Sequence, residues 1–588
     1  MIYNSTAQKI YTLVSQVSGH DVADLEPDLF LESDLGLDSI KTVQMLNGLV
    51  ELIPPERQGN FLQTVPMEQL MQLQTLADII AVSQNWLESE DHAITASQLK
   101  ENIEEQDEVA LETVDLTDSQ YIFLAGHFAV STCTICSTVR FEGTFDPEIA
   151  RQSWQQLLSR HPLLRASFSI PSEATSFKDY QLQVMDNPPT PELSITDLSG
   201  EDSATQDRHI QEAVDREINR AWSLQEWSLH RFFAFRLAEN LYELAISLHH
   251  VIADGLSVQI VLREFLEIYG ANLSNIKPNL PPATTLENYH QQIANINSWR
   301  SPEAAKLLQN YLSQQGNDKF FWNPQQAVIS KTANICSVRS IVDRSILTKL
   351  IERARDWRLP LNCLLVGSYL RAITKCGRSP IASFQTETKS IIINIPTSGR
   401  TYPNTDVGNV VGCFAENLAL SFPLPQADTL SWLKLVQSNI QTALADHHDN
   451  AQTRQMGNLT REQIKLVNGQ MSSMAAEIIR TAIKSNLYFS NMGQTGLKQQ
   501  YGTLEILNYR SATVTNAGCI DTLAEIFDDR LYFSTNYDSN VFTASFIDRL
   551  LAKFLEELEN LAILDVKSAP AAKSFNVPAD AHVSSIVQ

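Results

Sequence analysis

The spacing of apolar residues changes several times along the chain, and each change marks an element. Over Lys9–Val17 the spacing is helical. A Pro/Asp-rich loop, Glu26-Pro27-Asp28, follows. Ile40, Val43, Leu46, Val50 and Ile53 then recur at three- and four-residue steps, which is one face of an amphipathic helix. Pro54-Pro55 stops that helix, and Leu73, Leu76, Ile79 and Ile80 build a last one after Pro66. Residues 1–88 thus predict a small all-α bundle of four helices. Residues 89–112 are crowded with Glu and Asp and poor in aromatics, so they cannot bury much surface and read as an acidic flexible linker.

From about Leu116 the pattern becomes mixed. Ala129–Phe141 reads as a strand, and Ile149–Arg160 as a helix ended by His161-Pro162. Leu241–Leu248 is a short apolar strand and Ser257–Tyr269 an amphipathic helix. Pro278, Pro281 and Pro282 mark a break, which divides the region into 113–285 and 286–565. The second part alternates again: helix at Ser345–Trp357, strand at Ile391–Ile395, strand at Leu531–Asn536, helix at Phe546–Leu561. Such alternation predicts an α/β architecture. The Ala-, Pro- and Ser-containing tail, 566–588, reads as disordered, and no internal repeat is visible.

Composition narrows the function. The 588 residues are 43% hydrophobic and 19% charged, which is ordinary globular usage. A formal charge of −24 without any basic run speaks against a nucleic-acid partner. No apolar stretch reaches the roughly 18–20 residues that span a bilayer, and Met1–Ile10 has no basic flank before an apolar core. Neither a membrane partner nor secretion is expected. Seven scattered cysteines predict reduced thiols in a cytoplasmic protein. Cys133-Thr134-Ile135-Cys136 lies in a strand-like stretch with no second ligand pair at metal spacing, so no metal is expected there.

Three segments carry candidate chemistry. Ser39, in Asp34-Leu35-Gly36-Leu37-Asp38-Ser39-Ile40-Lys41, opens a helix behind an acidic residue. Backbone N–H groups at that position can favour an attached phosphate. His249-His250-Val251-Ile252-Ala253-Asp254-Gly255 ends an apolar strand and turns into a helix. Strand alternation turns one histidine toward a channel and the other into the domain. With a pKa near neutrality, the exposed one suits proton transfer from an attacking amine or hydroxyl. Gly255 lets a backbone N–H approach a developing oxyanion, and Asp254 is a candidate for fold maintenance that needs a cationic partner. The pair His447-His448 lacks a following Asp-Gly and reads as surface.

The Ser39 segment resembles the attachment site of acyl carrier proteins, and the resemblance covers residues 1–88. It implies a 4'-phosphopantetheine arm on Ser39 and a phosphopantetheinyl transferase as partner. Aminoacyl carriers usually show Gly-Gly-(His/Asp)-Ser, whereas Gly36-Leu37-Asp38-Ser39 looks more like polyketide or fatty-acid carriers. The His249–Gly255 segment resembles the HHxxxDG centre of condensation domains from nonribosomal peptide synthetases. Four more segments extend that resemblance over roughly 113–565: Leu116–Gln120, Arg160–Phe168, Val407–Phe414 and Tyr488–Gly493. It implies a two-lobed fold like chloramphenicol acetyltransferase, with lobes at 113–285 and 286–565 and the histidines between them. It further implies that His250 is the critical histidine, that His249 supports it, and that Arg400 pairs with Asp254. Cys413-Phe414-Ala415-Glu416-Asn417 departs from the more usual Phe-Phe-Val-Asn-Thr.

Together these readings predict an acyl carrier fused to a condensation domain within a nonribosomal peptide/polyketide assembly line. An acyl or polyketide thioester on Ser39 would meet an amine acceptor on a downstream carrier and give an amide. An upstream synthase module would load the carrier, and a larger complex or an excised piece is expected. Ester formation with a hydroxyl acceptor and a non-catalytic carrier-binding scaffold are the alternatives. Epimerising relatives carry an extra glutamate motif that this sequence lacks.

Overall fold

The computed structural model describes residues 5–18, scattered positions between 22 and 80, and then 112–130, 133–189, 192–299, 303–314, 333–376, 390–402, 405–467, 470–471, 485–513 and 518–564. Two compact units emerge. One comprises 1–114, 168–186 and 456–483, the other 115–167, 187–455 and 484–588.

In the first unit, Ser5–Ser18 is a helix, with Ile10, Tyr11 and Val14 buried. Leu25, Leu76 and Ile79 are buried as well, and the Leu76 N–H donates to the Leu29 carbonyl (3.1 Å). Leu52, Leu76, Ile79 and Ile80 are helical, and the rest of the other helices expected over 1–88, Ser39 included, falls outside the described residues, as do the tail and nearly all of 89–112. Glu112, the last residue of the expected linker, opens a strand, Glu112–Val114, antiparallel to Gln181–Val184. Three residues are too few for a periodic signal.

The second unit holds two six-stranded sheets. Its strands are β1 (Thr134–Glu142), β2 (Leu193–Asp197), β3 (His230–Ala238), β4 (Leu241–His249), β5 (Ile335–Val342), β6 (Ser390–Ser398), β7 (Ala415–Pro423), β8 (Leu487–Gln494), β9 (Gln500–Tyr501), β10 (Leu504–Thr513), β11 (Ile520–Phe527) and β12 (Arg530–Asp538). Sheet A runs β9-β10-β1-β4-β3-β2 and sheet B runs β7-β6-β8-β11-β12-β5. Its helices are α1 (Asp118–Val130), α2 (Pro147–Arg160), α3 (Ser203–Ile218), α4 (Gly255–Leu273), α5 (Leu286–Ser298), α6 (Ala304–Gln314), α7 (Arg344–Trp357), α8 (Leu361–Cys376), α9 (Thr429–Ala445), α10 (His448–Asn458) and α11 (Ala544–Ile563). The expected α/β class is therefore observed.

Local chemistry starts the helices that matter for the site. Asp146 caps α2 by accepting from the N–H groups of Glu148 and Ile149, and Pro147 pre-sets the first turn. Asp254 caps α4 by accepting from Ser257 N–H. In sheet A, β1 and β4 are buried almost throughout, as befits central strands covered on both faces. Trp154 of α2 stacks on Phe232 of β3 (4.8 Å, 7°), and Phe265 of α4 closes the same core. In sheet B, Ile391, Ile393, Leu418, Leu420, Phe489, Ile520 and Phe533 pack on one face against α7, α8, α9 and α11.

Three expectations are corrected. Ala129 and Val130 end helix α1, and the strand begins only at Thr134. Because α1 is apolar on most sides, it carries no amphipathic signature that would separate it from a buried strand. His447 is exposed, but its neighbour His448 is buried at the start of α10. The division at 285/286 is also crossed: β10, from late in the chain, pairs antiparallel with β1 in sheet A. It covers an edge of β1 that would otherwise carry unpaired backbone groups.

Where α4 passes the β9–β10 turn the backbones touch. A Cβ at Gly270 would lie 2.6 Å from the Tyr501 carbonyl oxygen, and Gly502 sits at φ +60° against the Gly270 carbonyl. Gly270→Ala is expected to cost about 1–3 kcal/mol through overpacking, read as a lowered thermal midpoint.

Candidate active site

Strand β4 delivers both histidines. The His249 N–H donates to the Leu229 carbonyl (2.9 Å) and the His250 N–H to the Cys133 carbonyl (2.7 Å), so their backbone positions are fixed from opposite sides. His249 is fully buried, and His250 is half-buried. Val251, Ile252 and Ala253 then turn the chain inside the core, and Asp254 opens α4.

The hydrogen bonds of His249 define its tautomer. The Val251 N–H donates to His249 Nδ1 (3.1 Å), so the ring proton sits on Nε2. That Nε2–H donates to His127 Nδ1 (3.2 Å), which places the proton of His127 on its own Nε2. Burial lowers the His127 pKa to about 4. His249 is held well below its usual value by burial first and then by the neighbouring His127 and His250. Both rings are neutral at pH 7.

His250 is held differently. Phe123 of α1 stacks on its ring (3.6 Å between centroids, 10° between planes), and Cys413 Sγ lies 3.8 Å from Nδ1. Burial lowers the His250 pKa to about 4, against the opposing pull of its own and Ala253's carbonyls and of Asp254. The expected pKa near neutrality is thus corrected. The imidazole is a free base at pH 7, ready to accept a proton but reluctant to keep it. Burial pushes the Cys413 thiol well above its usual range, so it stays protonated.

Asp254 and Arg400 form a buried ion pair, each side chain about 5% exposed. Asp254 Oδ1 accepts from Arg400 Nη2 (2.8 Å), Ser257 N (2.8 Å) and Ser257 Oγ (2.8 Å). Its Oδ2 accepts from Arg400 Nε (3.3 Å) and the Phe414 N–H (3.1 Å). Arg400 spends its Nη1 on the carbonyls of Val407 (2.5 Å) and Val410 (2.7 Å) and lies over the Phe414 ring (4.6 Å). Burial would raise the Asp254 pKa, but the charge and hydrogen bonds of Arg400, helped by Ser257, outweigh it and hold the carboxyl below its usual range. Arg400 is the partner that the resemblance implied.

Other expected segments converge here. Gln120 Nε2 donates to the Val251 carbonyl (2.9 Å) and Thr117 Oγ1 to the Cys413 carbonyl (3.1 Å). A Cβ on Gly255 would lie 2.6 Å from Met492 Cε, so Tyr488–Gly493 reaches the start of α4, and a larger residue there would push aside the end of the Met492 side chain. Phe123 and His127 were not singled out from the sequence, and Cys413 was named only as part of the departing Cys413–Asn417 motif. Gln120, Phe123 and His127 stand at i, i+3 and i+7, one helix face, and that spacing was the available signal. Among the described residues no group of His, Cys, Asp and Glu could hold a metal, and no helix is long and apolar enough to cross a membrane. Cys133 and Cys136 are buried free thiols.

Comparison with known proteins places this two-sheet α/β unit, with its histidine pair at a strand end and its buried Asp–Arg pair. Residues 110–568 match the condensation domain family and residues 8–83 the phosphopantetheine attachment site family. The chain belongs to the condensation domain family and carries a phosphopantetheine attachment region ahead of that domain. It is 23% identical to bacitracin synthase 1 of Bacillus licheniformis over 72% of its own length, and 24% identical to tyrocidine synthase 3 of Brevibacillus parabrevis over 76%. It spans only 8% and 6% of those relatives. The first condensation domain of the calcium-dependent antibiotic synthetase aligns with a TM-score of 0.60 at 14% identity, over 79% of this chain and 100% of that one. The cyclization-docking bidomain EpoB from Sorangium cellulosum aligns at 0.57 and 17%, over 78% of this chain and 86% of that one. These likenesses show the two-lobed fold.

Removing Arg400 leaves a buried carboxylate uncompensated. Arg400→Ala should cost about 3–5 kcal/mol in chemical denaturation, with partial recovery in Arg400→Ala/Asp254→Asn. The carboxyl's own contribution, present above the ordinary carboxylate range, is lost only as pH falls through its depressed folded value.

The buried histidines act in a higher window. Between pH 6.5 and about 4 the unfolded chain binds protons that folded His127 refuses, so stability falls as pH drops. His127 alone should account for about 2 kcal/mol between pH 7 and pH 5. Denaturation at the two pH values should show a slope that flattens in His127→Gln.

Proposed function

We propose that this chain is a carrier–condensation didomain of a nonribosomal peptide assembly line that forms an amide from a carrier-bound thioester. The observation that carries this reading is His250, a neutral, half-buried imidazole fixed by Phe123 at the end of β4, in a chain that also bears a phosphopantetheine attachment region. The carrier spans 1–88, the acidic linker 89–112, the condensation domain 113–565 and the tail 566–588. Ser39 holds the 4'-phosphopantetheine. It lies outside the described residues, and the fit rests on donor chemistry, a primary hydroxyl beside the carboxyl of Asp38. When bound, the arm supplies an activated acyl group as a thioester.

The chain's own residues then act as follows. An acceptor amine attacks the thioester carbonyl, forming a C–N bond, while His250 takes the proton that the amine nitrogen loses. The Gly255 N–H, in the first turn of α4, faces the developing oxyanion and adds the positive end of the helix dipole. With the arm bound, breaking of the C–S bond would release its sulfur as a thiolate, and His250 would return the proton to it. His249 takes no proton. Tied to Val251 and His127, it fixes the strand end from which His250 projects. Asp254 and Arg400 hold the turn between them. The acyl group is of acyl or polyketide type, the acceptor sits on a downstream carrier, an upstream module and a phosphopantetheinyl transferase load Ser39, and the setting is cytoplasmic.

Intact mass after incubation with coenzyme A and a phosphopantetheinyl transferase should show one added phosphopantetheine, absent in Ser39→Ala. Loaded protein should then form amide with an amine acceptor, and His250→Ala should slow this by about 10²-fold or more with an unchanged thermal midpoint. Equal rates for the variant and the parent would remove His250 from the chemistry.

A further inference from the structure

Helices α7, α8, α9 and α11 form the apolar core on one face of sheet B. Ile393, Leu487, Phe489, Ile520 and Ala524 point into that helical core. By strand alternation, the residues between them face the other way. One row of that inner face is polar across four strands: Asn394 of β6 lies opposite Tyr488 of β8, Tyr488 opposite Asp521 of β11, and Asp521 opposite Asn536 of β12.

The asparagines of this row are bonded. Asn394 Nδ2 donates to the Ser485 carbonyl (3.3 Å) and its Oδ1 accepts from Asn417 Nδ2 (2.8 Å). Asn536 Oδ1 accepts from the Thr513 N–H (3.2 Å). Glu525, on the same strand and face as Asp521, accepts from Gln259, Tyr509 and Ser511. Asp521 differs. Its residue is half-buried, yet Oδ1 is enclosed without a donor, and no Lys, Arg or His among the described residues pairs with it. Burial alone pushes its pKa up to about 7. An acceptor enclosed without a donor costs free energy that the fold itself does not recover, and a ligand can supply the missing donor.

The strand leads from Asp521 to the site. Glu525 lies opposite Gly493, next to Met492, whose Cε packs on Gly255. Asp521 stands four residues further along, roughly 13 Å at strand rise. An amine eight bonds beyond a carbonyl placed near Gly255 spans roughly 10 Å, and one hydrogen bond of about 2.8 Å completes the distance. Resting on the proposed transfer reaction, we infer that Asp521 is a specificity-determining residue that accepts a hydrogen bond from a protonated amine at the far end of a substrate chain. The substrate class is thus an amine-bearing acyl chain, and a plain alkyl chain would leave the carboxyl unmatched.

Two nonhydrolysable probes of equal length test this: the 8-aminooctanoyl and nonanoyl amides of aminopantetheine, titrated calorimetrically into the full chain. The amine probe should bind at least about tenfold tighter to the parent. Asp521→Asn, which keeps the shape and removes the charge, should equalise the two, and Asp521→Leu should reverse the order. Neither variant should lower the thermal midpoint, since the carboxyl has no partner to lose among the described residues. Equal affinities in the parent, a preference that survives in Asp521→Asn, or no binding of the amine probe would each overturn the inference. Binding is read without turnover, so a failure of amide transfer and a failure of Asp521 selectivity are separate results.

Discussion

The Asp254–Arg400 pair is the contact on which the rest of the site depends. Charges taken this far out of water are tolerated only when both partners are saturated with hydrogen bonds, and here every oxygen of Asp254 and most donors of Arg400 are in use. The pair joins the first turn of α4 to the 399–414 segment and so ties the strand end bearing the histidines to sheet B. Gly412 and Phe414 are drawn in through their backbone, and Cys413 between them reaches His250 Nδ1. A single electrostatic contact thereby sets the position of a side chain that it does not touch.

The surroundings of the two histidines show how one strand end gives neighbours different properties. Alternation puts His249 inward, where the Val251 N–H and His127 settle its tautomer and leave it no freedom. His250 faces the other way, against a flat aromatic ring. Both are neutral at physiological pH, but only one remains open enough to exchange a proton with something outside the protein.

Much of this was legible in the sequence. The helices expected over Ser345–Trp357 and Ser257–Tyr269, the apolar strand that ends at the histidines and the α/β alternation all follow from period, and α7, α4 and β4 lie where they were expected. The Asp254–Arg400 pair came from resemblance, because nothing in local spacing links residues 146 positions apart. What escaped was governed by burial on all sides or by distance in sequence. Helix α1 has no polar face to announce its period, so Phe123 and His127 went unread. The partner strand of β1 was missed because pairing between residue 135 and residue 513 leaves no local trace. The same holds for Asp521, whose isolation is visible only once its neighbours on β8 and β12 are known.

That late strand has a consequence for how the chain comes into being and how it can be recombined. Sheet A begins to form when β1 to β4 leave the ribosome, but its edge stays open until Leu504–Thr513 is made, more than 350 residues after Glu142. The nascent first lobe must therefore persist with an unpaired strand edge through most of synthesis, a slow, non-local closure. The two lobes are interlocked rather than consecutive, so chimaeras cut at the proline-rich break would part β1 from β10. Exchanges that respect the fold have to move both together.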